Sequence, residues 1–156
     1  MMSWPSSNRI SDLLGSERPL LDEIFGRGKY EIDDVDPDVS IVRSAVIELK
    51  FGFDRHRARD IVTTVTIVGV PQEISLNSLD VLARFIGEDI PPLPTNANGV
   101  VSVPPDEQIR KHLRCVLRLA EDVFTDPQKT RDAAIFGAGY NAAYNDWASG
   151  KGSWLT

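Results

Sequence analysis

Between Ile41 and Val70 the chain alternates apolar and polar residues in two runs, and this alternation restricts the fold more than any other feature. The runs, Ile41–Phe53 and Asp60–Val70, are rich in β-branched side chains and read as strands suited to a pleated, half-buried surface. Six residues, Asp54-Arg55-His56-Arg57-Ala58-Arg59, connect them. A parallel crossover needs a dozen residues or more, so the spacing predicts an antiparallel hairpin. Ala45, Ile47, Leu49, Phe51, Val65 and Ile67 form the expected core-facing set. A hairpin alone is marginal in water and must pack on something else.

Helical patterns downstream supply that partner. Asn77 is placed to cap a helix over 77–87, with Leu79, Leu82, Phe85 and Ile86 on its apolar face. A proline-rich connection, 88–105, follows. The strongest helical stripe, Ile109, Leu113, Val116, Leu117, Ala120 and Phe124, predicts a helix over 106–124. Asp126 as cap and Pro127 in the first turn then open a last helix over 127–149, with Phe136, Tyr140, Tyr144 and Trp147 along one face. The first forty residues are less regular: short helices near 10–14 and 19–25, then an acidic loop. The expected fold is therefore α+β, a small antiparallel sheet built on the central hairpin and packed against the C-terminal helices in two layers. At 156 residues it forms a single domain, 1–156, large enough to fold without disulfide or metal.

Charge narrows the function. Lys and Arg number 17 against 23 Asp and Glu, a net charge of −6. That balance opposes nucleic-acid binding, which requires phosphate neutralisation, and suits a basic protein partner as well as plain solubility. No apolar run approaches the roughly 18 residues that span a bilayer, and the N-terminus lacks a secretory pattern. Cytoplasmic localisation without membrane contact is the expectation. The lone Cys115 agrees with a reducing compartment.

Few motifs carry chemistry. Gly137-Ala-Gly139-x-x-Ala142 imitates a dinucleotide-binding fingerprint, but too little chain follows for a second strand and ribose-binding acid. Close helix packing along Ala134, Ala138 and Ala142 is the simpler reading. Asp34-x-Asp36-x-Asp38 resembles the start of a calcium loop, yet Val39 and Ala45 occupy the positions that need Gly and Glu. No metal or cofactor is expected. His112 lies with Arg110, Lys111, Arg114 and Arg118 on what reads as a solvated helix face, while Cys115 reads as a buried small hydrophobe. His56, flanked by Asp54 and Asp60, holds the parts of an acid–base site. Charged tips also terminate hydrophobic strands and prevent edge aggregation.

In size, acidity, the absence of a catalytic constellation and the hairpin ELKFGFDRHRARDIVTTVTIVGVP, the chain resembles the small acidic bacterial immunity proteins of polymorphic toxins. The resemblance implies a non-catalytic module that neutralises a toxin by direct binding. Its acidic run, Glu31, Asp33, Asp34, Asp36 and Asp38, would face a basic toxin domain, with Tyr30 as an aromatic anchor and Asp54, Arg55 and Arg57 as a second contact. The run also reads as a solvated acidic loop. Two other classes stay open: a hydrolase or transferase using His56, and a small-ligand binder with a pocket beneath the proline-rich segment and the aromatic stripe.

Overall fold

The computed structural model describes residues 9–53, 61–87 and 104–148, with side chains through residue 142. The hairpin tip, most of the proline-rich connection, and the side chains of Tyr144 and Trp147 lie outside the described residues. The fold is α+β. Its sheet has five antiparallel strands in chain order: β1 (Tyr30–Asp36), β2 (Val39–Ser44), β3 (Ile47–Phe53), β4 (Ile61–Ile67) and β5 (Leu76–Ser78). Helices α1 (Ile10–Gly15), α2 (Arg18–Phe25), α3 (Leu79–Phe85), α4 (Pro105–Leu119) and α5 (Pro127–Ala148) complete the chain. The five residues Ala120–Phe124 extend α4 in π geometry.

The pairing of β3 with β4 is the predicted hairpin, with Leu49 opposite Val65 and Phe51 opposite Thr63. The run Ile41–Phe53 is two strands, however, split at Ala45-Val46. The Ser44 hydroxyl turns the chain there: it donates to the Ile47 carbonyl at 2.8 Å and accepts from the Val46 and Ile47 N–H groups at 3.3 and 3.2 Å. Ala45 is consequently exposed in the turn. Ile47, Leu49, Phe51, Val65 and Ile67 are all buried. The acidic run is likewise a strand, β1, where a loop was expected. Its pairing with β2 gives Tyr30 and Ile32 apolar neighbours across the helix-facing side of the sheet.

Helix α4 is the central support. Ile109, Leu113, Val116 and Leu119 are completely buried in one cluster with Val42, Leu49, Phe51 and Val65 from the sheet and Leu14 and Leu21 from the N-terminal helices. Each such side chain contributes about 1.5–3 kcal/mol through burial. Pro105 opens α4, and Asp106 and Glu107 occupy its first turn, where the helix dipole favours them. Asp126 caps α5 by accepting from the Gln128 and Lys129 N–H groups at 2.9 and 3.3 Å.

Two helical expectations change. Asn77 lies in β5, so the helix begins at Leu79 with Ser78 in the cap position. The buried face of α5 is Thr130, Ala133, Ala134 and Gly137, whereas Ala142 is exposed and Phe136 retains 38% exposure beside Phe85 and Tyr140. Small residues dominate that face because Asn77 is buried against it. Its amide donates to the Ile74 and Ser75 carbonyls, and its Oδ1 fills the space where a Gly137 Cβ would stand. Gly139 faces open space.

The two glycines should therefore respond oppositely. Gly139→Ala gains up to about 1 kcal/mol from helix propensity. Gly137→Ala loses about 1–3 kcal/mol, because the tethered Asn77 has no cheap retreat. Urea unfolding of both variants checks the contrast.

Candidate protein-docking surface

β1 forms one border of the sheet, and among the described residues it pairs with β2 alone. Alternation sends its side chains to opposite faces. Tyr30 and Ile32 turn to the helical layer, and Glu31 and Asp33 to the open face. Val35 is passed over between the Asp34↔Ser40 and Asp36↔Val39 pairs, a bulge that leaves it 54% exposed. Such bulges and charges are the usual furniture of an edge strand. The turn into β2 is closed by Asp36, whose Oδ1 accepts the Asp38 N–H at 2.8 Å.

The carboxylates are not equally free. Asp34 pairs with Arg9 at 2.9 Å. Asp33 shares the Arg43 guanidinium with Glu48 from β3, both at 3.2 Å. The hydrogen bond that Arg43 donates to Asp33, with Glu48 adding to it, raises the Arg43 pKa above its ordinary value. Exposed pairs of this kind add little to stability, but they fix the geometry of the open face. Among the described residues, Glu31, Asp36 and Asp38 have no cationic partner. They carry the uncompensated charge of the surface.

Tyr30 plays a different part from an outward anchor. Its hydroxyl donates to Asp22 Oδ1 at 2.7 Å, its ring packs at a tilt against Phe25, and Arg18 lies over it. Burial, followed by the hydrogen bond to Asp22, raises its pKa. Tyr30 thus ties the start of β1 to α2. At the other end, the Asp38 carbonyl accepts the Phe53 N–H at 3.1 Å. The acidic turn therefore adjoins the point where the chain enters the tip. Asp54, Arg55, His56 and Arg57 themselves lie outside the described residues, as does any acid–base pairing of His56 with Asp54 or Asp60.

A second polar constellation lies inside the domain. His112 is buried at 7% exposure, which overturns its assignment to the solvated face of α4. Its Nδ1 is 2.7 Å from Thr63 Oγ1, and one turn earlier Gln108 Oε1 accepts the Ile61 N–H at 2.8 Å. Gln108, His112, Cys115 and Leu119 recur at spacings of four, three and four, which places them on one buried helix face. That spacing was visible in the sequence, but the neighbouring Arg110, Lys111 and Arg114 masked it. Burial depresses the His112 pKa to about 4, with the Asp80 charge opposing. A neutral imidazole bonded to a hydroxyl and closed off from solvent acts here as a structural link between α4 and β4. Of the basic stripe, Arg110 pairs with Glu17 at 2.8 Å and Arg118 with Asp122 at 3.7 Å.

Among the described residues no three of His, Cys, Asp or Glu converge as metal ligands, and no helix is long and apolar enough to cross a membrane. Comparison with protein-family models, curated proteins and solved structures finds no match to this chain.

The depressed His112 pKa predicts a pH-dependent stability. Because the folded value, about 4, lies below the unfolded 6.5, the contribution is complete above pH 6.5 and is lost as pH falls towards 4. Between pH 7 and 4.5 the protein should lose about 2–3 kcal/mol more than a His112→Gln variant. Denaturant titrations at the two pH values measure this difference.

Proposed function

We propose that this chain is a non-catalytic protein-binding module of the bacterial immunity type, acting in the cytoplasm by direct contact with a basic toxin domain. The observation that carries the reading is the coincidence of an unshared sheet edge with uncompensated negative charge. Along β1 and its turn, Glu31, Asp36 and Asp38 lack cationic partners on a strand whose outer border is bound to no other strand among the described residues. An edge strand offers backbone donors and acceptors to an extended segment of a partner. Its carboxylates steer a basic partner and reject an acidic one. Asp33 and Asp34, already paired within the domain, set the shape of the surface. Asp54, Arg55 and Arg57, which follow directly on the acidic turn's neighbour Phe53, would extend the contact.

The double variant Glu31→Lys, Asp38→Lys should unfold within about 0.5 kcal/mol of the parent, since both side chains are exposed. It should weaken binding to a basic partner about 100-fold, with a shallower salt dependence. Co-expression with the product of the adjacent gene is the direct assay. Growth restored by the parent and not by the variant supports the reading. Growth restored equally by both contradicts it.

A further inference from the structure

At the end of the domain opposite the acidic turn, α2, the β2–β3 turn and the π segment enclose a groove of about 260 Å³. Its walls are Ile24 and Phe25 from α2, Ala45, Val46 and Ile47 from the turn, and Ala120 and Phe124 from the π segment. Lys29, Ser44 and Thr125 are the polar residues of the lining.

Three features set this groove apart from a packing gap. Val46 stands 47% exposed at its lip, an apolar side chain that the fold itself leaves uncovered. The wall formed by Ala120 and Phe124 belongs to a π turn, a geometry frequent at functional sites. The hydrogen-bonding capacity is also almost entirely committed. Ser44 Oγ serves the Val46 and Ile47 backbone, and Thr125 Oγ1 donates to the Glu121 carbonyl at 3.1 Å. Lys29 is the exception: among the described residues its ammonium has no acceptor. Its aliphatic stem lies over Gly26, which adopts φ 93° and would bring a Cβ to 3.1 Å from Lys29 Cδ.

We propose that this groove binds a small aromatic monocarboxylate, with its ring system held by Phe25, Val46 and Phe124 and its carboxylate on Lys29 Nζ. The size follows from the volume. A dry apolar cavity of roughly 150 Å³ takes one benzene ring, so about 260 Å³ corresponds to a fused two-ring body. The aromatic class follows from the two phenylalanine walls, which favour ring edges and faces. The single charge follows from the single uncommitted cation. A peptide or nucleotide would bring several polar groups for which these walls offer no partners.

The test uses 2-naphthoate, with 2-naphthalenemethanol as the neutral analogue, followed by methyl and amide NMR titration of the whole chain. The expected result is a saturable set of shifts at Ile24, Ala45, Val46, Ile47 and Ala120, half-maximal below about 1 mM. Lys29→Met should raise the naphthoate dissociation constant about fivefold and leave that of the alcohol unchanged. Ala120→Leu should abolish binding of both. Should that variant fold poorly, Val46→Glu at the exposed lip should weaken naphthoate more than the alcohol. Shifts that fail to saturate, that scatter over the sheet and α5, or a Lys29→Met effect equal for acid and alcohol would each overturn the proposal.

Discussion

Among the described residues one face of the sheet is covered and the other is open, and α4 imposes that division. Ile109, Leu113 and Val116 meet the inward side chains of β2, β3 and β4 in a continuous core. The polar links Gln108–Ile61 and His112–Thr63 fix where along β4 the helix sits. Buried polar groups are costly unless paired, so these links oppose sliding of α4 over the strands in a way that apolar contacts alone do not. The remaining helices gather around the same support: α1, α2 and α3 all pack on α4, while α5 packs on α3 and β5.

With the inner face taken, the sheet presents its open face and its two borders outward. The β5 border is three residues long. The β1 border is longer, bulged and acidic. Both arrangements discourage indiscriminate strand pairing. They differ in chemistry, because the β1 border keeps seven residues of strand and adds charges that select the sign of whatever approaches.

Much of the fold was legible in the residues. The β3–β4 hairpin, the stripe of α4 and the Asp126-Pro127 start of α5 follow from alternation, helical spacing and capping. The split at Ala45-Val46 is hidden in the sequence because an apolar residue occurs on nearly every alternate position through it. Antiparallel partners share a face, so a two-residue turn must switch the inward parity from even numbers (Ser40, Val42) to odd ones (Ile47, Leu49). Val42 beside Ile41 concealed that switch. The acidic run lacked strand propensity by composition, since Asp is depleted in strands. Tertiary pairing with β2 and the inward Tyr30 and Ile32 prevailed over that preference. Asn77 illustrates another limit: a good cap residue was drawn into β5 by its long-range fit against Gly137, which no local window contains.

The acidic border was legible in composition and not in geometry. Five acids in eight residues are plain in the chain from Glu31 to Asp38. Which of them are neutralised depends on Arg9 and Arg43, brought to Asp34 and Asp33 by the fold. The groove was not legible at all, because Phe25, Val46 and Phe124 are distant in sequence and converge only at the sheet end.

The acidic run is a border strand, ordered by β2 and bound to no other strand among the described residues. Residue-resolved amide hydrogen exchange over Tyr30–Asp36 tests it most directly. Alternating slow and fast amides, slow where the N–H points to β2 and fast where it points outward, is the predicted pattern. Uniformly fast exchange, as in a solvated loop, or uniformly slow exchange, as in a strand paired on both sides, would contradict it.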